Sequence, residues 1–181
     1  KYDGQACTVE DWLNVFEATC KIDLKQFFLW YQKKGRPIVE VTSNYEHGTF
    51  TMQFSQKQKN NTDQDSEPKL IPINIGLLDQ NGTEIVKTKT FLLSQRTQSV
   101  SFEGLTSKPI PSTLRDFSAP VTLIEQMSHD QLNVLGRYDP NLFNRWNALR
   151  QLSFDAIEKY IYSNETISKR LLSSIEKTLC S

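Results

Sequence analysis

The sequence predicts a mainly β chain, an antiparallel β-sandwich of about seven strands flanked by α-helices at its N- and C-terminal ends. Three observations carry that expectation. Between Pro37 and about Arg137, apolar residues alternate with polar ones in short runs; before and after that stretch they recur at helical spacing. Asn-Gly, Asp and Pro punctuate the alternating region at the intervals of hairpins and short strands. The 181 residues, 20.9 kDa, allow one generous domain or two small ones.

The first 36 residues read as two helices. Thr8 with Asp11 three positions on forms a variant capping box, and Val9, Trp12, Leu13, Phe16 and Cys20 follow at helical spacing. A second start lies at Asp23 with Gln26, followed by Leu24, Phe27, Phe28 and Tyr31, until Gly35 and Pro37 end the helix. From Pro37 the period becomes two. Ile38, Val39 and Val41 open a strand that turns back through 44–48 into Phe50-Thr51-Met52-Gln53-Phe54. The polar stretch 57–68 has no apolar side chain except proline and reads as a mobile loop. Strands resume over 70–78 and 83–93 around Asn81-Gly82, with shorter candidates at 99–102, 112–117 and 121–125. At Asp139-Pro140 the helical period returns, with Asp139 as N-cap and Pro140 as first helical residue, and Phe143, Trp146, Leu149, Ala156, Ile157 and Tyr160 on one side. A final helical stripe carries Ile167, Leu171, Leu172, Ile175 and Leu179, with no partner visible in the chain.

Twenty-one Lys and Arg balance twenty-one Asp and Glu, so no long-range field gathers nucleic acid or an anionic membrane surface. No run approaches the ~18 apolar residues of a membrane span, and no secretory leader is read at Lys1. Cys7, Cys20 and Cys180 are an odd number without a C-x-x-C pair, which fits a reducing compartment and a cytoplasmic location. The sequons at Asn60, Asn81 and Asn164 would matter only in a secreted protein and are read as chance.

The chemistry-bearing residues form no expected catalytic, cofactor-binding or metal site. His47 and His129 lie in separate polar turns, without the H-E-x-x-H spacing that places two zinc ligands on one helix face. Ser128 and Asp130 flank His129 too closely in sequence to make a triad with it. Glu10-Asp11 suits a helix N-terminus better than an acid/base pair. The run Phe27-Phe28-Leu29-Trp30-Tyr31 wraps around a helix and lacks the basic groove of a base-stacking surface, so it is read as core or interface packing. Trp146 with Phe143 is read as an anchor between sandwich and helices.

Asp3-Gly4, Cys7-Thr8-Val9-Glu10-Asp11-Trp12, Trp30-Tyr31 and Gly35-Arg36-Pro37 fit the pattern D-G-x-A-x-T-x-(E/D)-D leading to W-Y-x-x-x-G-x-P. With Phe117-Ser118-Ala119-Pro120-Val121 and Phe143-Asn144-Arg145-Trp146, they resemble the aminopeptidase N family of zinc peptidases, in its bacterial alanyl-aminopeptidase branch. The resemblance runs in order along nearly the whole chain. It implies an internal piece of a longer enzyme: the tail of the catalytic domain over 1–36, an immunoglobulin-like β-sandwich over 37–137, and the first helices of a C-terminal helical domain over 138–181. Such enzymes remove N-terminal residues from peptides with a zinc-bound water. The zinc ligands, the general base and the catalytic Tyr of the family lie upstream of the matched segment. The resemblance therefore carries no catalytic or metal residue onto this chain. It implies zinc in the parent and none bound here, with the parent's other domains as partners and peptides as the parent's substrates. Pro37 then marks a domain junction, Phe117 to Val121 lead into a sandwich strand, and Arg145-Trp146 belong to the helix packed on the sandwich. The alternative is a free-standing immunoglobulin-like module that binds a protein or glycan through its loops.

Overall fold

The computed structural model describes residues 3–57, 67–163, 172–173 and 175–176. Within them the chain builds α1 (Val9–Cys20), α2 (Lys25–Gln32), β1 (Ile38–Glu46), β2 (Thr49–Lys57), β3 (Ile71–Leu78), β4 (Glu84–Leu93), β5 (Thr97–Phe102), β6 (Ile110–Thr113), a 3₁₀ turn (Arg115–Phe117), β7 (Thr122–Glu125), α3 (His129–Tyr138) and α4 (Leu142–Ser163). The strands form two sheets, ordered β5-β2-β1-β7 and β4-β3-β6. The expected immunoglobulin-like sandwich of about seven strands with helices at both ends is the observed fold, antiparallel except where β7 runs parallel to β1.

Alternation of side chains along each strand decides which residues become core. Val39 and Val41 on β1 and Phe50, Met52 and Phe54 on β2 face Ile71, Ile73, Ile75, Leu77 and Leu93 of the other sheet, and all are buried. The β1–β2 connection is tighter than the expected 44–48. Asn44 and Tyr45 stay in the ladder, and the turn is His47-Gly48 alone, with φ of +48° and +76°. Two consecutive positive φ values make the two-residue turn whose twist matches the strands, and Gly48 meets that demand without strain. β3 is buried on both faces from Ile75 to Leu78, because helices cover the outside of the smaller sheet there. Leu78 and Ile110 form a second apolar cluster with Leu132 and Leu135 of α3 and Ala148 and Leu152 of α4.

The N-terminal helices differ in how they begin. Thr8 and Asp11 make the expected capping box on α1. At α2, Asp23 Oδ1 accepts the Lys25 N–H at 2.8 Å, but Gln26 takes no part in capping. Its amide instead donates to the Pro68 and Ser94 carbonyls of the sandwich. Trp30 Nε1 donates to the Leu70 carbonyl at 2.8 Å, and buried Lys69 lays its ammonium against the Lys33 carbonyl at 2.9 Å and the Trp30 ring at 4.7 Å. The aromatic run thus serves partly as expected: Leu29 is buried and Trp30 half-buried, while Tyr31 is 52% exposed.

At the C-terminal end the helix boundaries correct the expectation twice. The polar segment Ser128-His129-Asp130 is a helix start, since Ser128 and Gln131 form a capping box on α3. Asp139 ends α3 and does not begin α4. Pro140 disfavours helical backbone at the residue before it, and Asp139 accordingly sits at φ −57°, ψ 124°. Asn141 caps α4 in its place, its Oδ1 accepting the Asn144 N–H at 3.1 Å. Most of the expected loop 57–68 and most of the final stripe (Ile167, Leu171 and Leu179) lie outside the described residues; Ile175 is described and packs against the second apolar cluster.

Gln56 continues the inward series of β2 as a polar residue. Its amide donates to the carbonyls of Lys69 and Gln95 at 2.9 Å and accepts the Lys69 N–H at 2.9 Å. Removing it strands the buried N–H and carbonyl of Lys69, and each buried orphan costs roughly 1–3 kcal/mol, while the part-buried Gln95 carbonyl can turn to water. Gln56→Ala is therefore expected to lower unfolding stability by about 2–4 kcal/mol in urea titration, with exposed Gln53→Ala on the same strand within about 0.5 kcal/mol of the parent chain.

Candidate functional site

Two groups of polar side chains lie between the sandwich and the C-terminal helices. The first surrounds Arg115, which is 2% exposed. Its guanidinium reaches Glu84 at 2.5 Å and Thr88 at 2.9 Å on β4, Ser112 at 2.8 Å on β6, and Asp139 at 3.2 Å between α3 and α4. The Ser112 hydroxyl donates to the other Asp139 oxygen at 2.5 Å and accepts from Asn144 Nδ2 at 2.8 Å. Burial pushes the Asp139 carboxyl up, opposed by the Ser112 hydroxyl, the Asn141 N–H and the charges of Arg115 and Arg145. Gly76 leaves room for this guanidinium, because a Cβ there would lie 2.1 Å from the Arg115 Cζ. A group so fully occupied by protein partners joins layers and has no face left for substrate.

The second group opens into a cleft of about 720 Å³ between β6, β7, α3 and α4. Glu125 lies in it at the end of β7. Leu123, two residues earlier, packs on the sandwich core, so alternation turns the Glu125 carboxylate to the same inner face. Its hydrogen bond comes from the Thr113 hydroxyl at 3.3 Å. Desolvation raises its pKa from 4.5 to about 7, with the Thr113 hydroxyl pulling the other way. Apolar walls come from Leu114, Leu132 and Phe143, and Arg36 and Arg150 are the other charged residues of the lining. Sequence reasoning singled out neither Arg115 nor Glu125. Glu125 stood at an inward position of its strand pattern, and that was the available signal.

The structure keeps the other candidates apart. His47 occupies the first hairpin turn, while His129 Nε2 lies 3.1 Å from Asp155 on α4 at an exposed site. Ser128 spends its hydroxyl on capping α3. Thr8 and Asp11 satisfy one another at the start of α1, and Asn81 lies in the exposed β3–β4 turn. Cys7 and Cys20 are free and exposed. Trp146 corrects the expectation of an anchor: it is 55% exposed, touching Phe143 and lying under the Arg150 guanidinium. Arg145 does tie the helices together, donating through Nε and Nη2 to the Asp139 carbonyl. Among the described residues no three His, Cys, Asp or Glu side chains converge as metal ligands, and no helix is long and apolar enough to cross a membrane.

The family described as "Domain of unknown function (DUF3458) Ig-like fold" matches residues 35–126. Aminopeptidase N of Escherichia coli (strain K12) is 34% identical over 162 residues, covering 84% of this chain and 19% of that protein. Aminopeptidase N of Caulobacter vibrioides is 36% identical over 160 residues, 87% of this chain and 18% of that protein. A crystal structure of Legionella pneumophila aminopeptidase A in complex with aspartic acid superposes with a TM-score of 0.84 at 30% identity, over 98% of this chain and 20% of that one. The chain spans about a fifth of the length of these relatives.

The raised pKa of Glu125 has a definite sign. The native state holds this proton up to about pH 7, whereas the unfolded chain releases it near 4.5, so stability falls as pH climbs between those values and levels off above. Glu125→Gln is expected to match the parent chain near pH 4.5 and to exceed it by up to about 3 kcal/mol at pH 8. Urea unfolding of both proteins at the two pH values measures the difference.

Proposed function

Because the chain belongs to the DUF3458 family of Ig-like-fold domains and matches aminopeptidases along most of its length, we propose that it is an internal, non-catalytic segment of a zinc-dependent aminopeptidase of the alanyl type. The observation that carries this reading is collinearity: identity of 34–36% extends beyond the sandwich into both sets of flanking helices, and the fold follows at a TM-score of 0.84. In this reading 1–36 close the catalytic domain, 37–137 are the sandwich and 138–181 begin the helical domain. The enzyme works in the cytoplasm, and the other domains of the longer protein are the partners of this segment.

Zinc in such an enzyme would activate water for attack on a peptide bond. The donor set here does not fit that ion, since the described His, Cys, Asp and Glu residues are dispersed. In this reading the ligands and the peptide-gripping groups belong to other parts of the longer protein. This segment contributes shape. Lys69, Trp30 and Gln26 fix the N-terminal helices to one end of the sandwich, and Arg115 with Ser112 and Asp139 fixes the C-terminal helices to the other. A spacer fastened by directional bonds at both ends holds its two neighbours at a set separation, which is what a brace between a catalytic domain and a covering helical domain requires.

The 181-residue chain, incubated with alanyl-p-nitroanilide and zinc, is expected to give no turnover, while the longer protein that contains it hydrolyses the same substrate. In that longer protein, Trp30→Ala combined with Lys69→Met is expected to lower kcat/KM about tenfold or more at unchanged zinc content. Turnover by the 181 residues alone, or an unaltered kcat/KM in the double variant, contradicts the bracing role.

A further inference from the structure

Glu125 poses a problem that its described surroundings leave unsolved. A carboxylate drawn out of water needs an opposite charge or several donors, or it takes up a proton. This one is half-buried at an inward position on β7, with a single long hydrogen bond from Thr113. Among the described residues no cation comes within ion-pair distance of it. Of the two arginines that line the same cleft, Arg150 is occupied elsewhere, donating to Asn147 Oδ1 at 2.9 Å and stacking over Trp146 and Phe154. Arg36 lies exposed before β1. The space beside the carboxylate measures about 720 Å³, within the usual range of small-molecule sites, and its walls at Leu114, Leu132 and Phe143 are apolar.

We propose that this cleft binds an organic monocation, an amidinium or guanidinium on a compact apolar body, with Glu125 as the counter-ion and the Leu114, Leu132 and Phe143 side chains around the apolar part. The geometry suits a flat, delocalised cation, which is weakly hydrated and gives up little on leaving water. The charges of Arg36 and Arg150 do not reverse the preference. They stand in solvent, where screening is strong, whereas the half-buried Glu125 carboxylate lies against the apolar wall of the cleft, where short-range attraction is screened less. The partly apolar lining also disfavours a bare metal ion, which keeps its water and asks for several oxygen ligands. The inference does not depend on the peptidase reading.

Benzamidine is a suitable probe, and neutral benzamide is its isostere. Isotope-edited NMR of the 181-residue chain is expected to show benzamidine shifting the Leu114, Leu123 and Leu132 methyl signals saturably at pH 8, with benzamide leaving them in place. The Kd is expected to fall about tenfold between pH 6 and pH 8 as the carboxylate ionises, given its midpoint of about 7. Glu125→Gln, whose amide can keep the Thr113 contact, is expected to weaken benzamidine binding about tenfold or more at pH 8. A titration of the Glu125 carboxyl carbon in the unmutated chain needs no variant, and bound benzamidine is expected to move its midpoint downward. No saturable shift up to a concentration on the order of 10 mM overturns the proposal. So does equal binding of benzamide, or a Glu125 midpoint indifferent to benzamidine.

Discussion

Arg115 carries a full positive charge into a site that is 2% exposed, and the rest of the architecture is arranged around making that tolerable. A buried guanidinium left without partners would cost several kcal/mol, so its hydrogens must be met. They are met from three separate parts of the chain: Glu84 and Thr88 on β4, Ser112 on β6, and Asp139 in the link between α3 and α4. The local backbone bends to allow it. Leu114, Asp116 and Phe117 all adopt positive φ around Arg115, a conformation that non-glycine residues keep only when the surroundings impose it. Gly76 supplies the space against β3.

Once that guanidinium is satisfied, the placement of the helices follows. Asp139 is held by Ser112 and Arg115, which fixes the corner between α3 and α4 against the outer face of the smaller sheet. Leu132, Leu135, Ala148 and Leu152 are thereby set over Leu78 and Ile110. The opposite end uses different chemistry for the same purpose, with a lysine ammonium closing the end of α2 and Gln56 binding the backbone on either side. Between these fastenings the sandwich is held by an apolar cluster drawn from both sheets. What remains exposed is also informative: Trp12 and Phe16 on α1, and Trp146, Phe154, Ile157 and Ile161 on α4, are large apolar residues at the outer surfaces of the two helical ends.

Much of the fold was legible because it rests on short-range pattern. Phe50, Met52 and Phe54 alternate with polar residues, and that alternation is enough to name a strand and its buried face. Thr8 and Asp11 announced α1 by spacing alone. The failures share a physical origin. Ser128-His129-Asp130 looked like a turn because its helix has few apolar residues, although Gln131 at the third position completed a capping signal. Asp139 before Pro140 matched an N-cap by type, but a long-range demand from Arg115 claimed its carboxylate. Arg115 carries no local signature and Glu125 only its place in an alternating strand, since burial of a single charged residue depends on what the topology brings across from other strands. Trp146 has the size of an anchor, but an aromatic on a helical stripe faces whichever neighbour exists, and here it faces outward.

The dependence of the helices on the buried guanidinium can be tested by amide hydrogen exchange on Arg115→Met, which keeps the bulk of the side chain and removes its donors. The account predicts that α3 and the first half of α4 lose protection by a hundredfold or more, on the order of 3 kcal/mol, while β1, β2 and β3 stay protected. Unchanged protection across α3 and α4, with a cooperative loss spread evenly over both sheets, would contradict it.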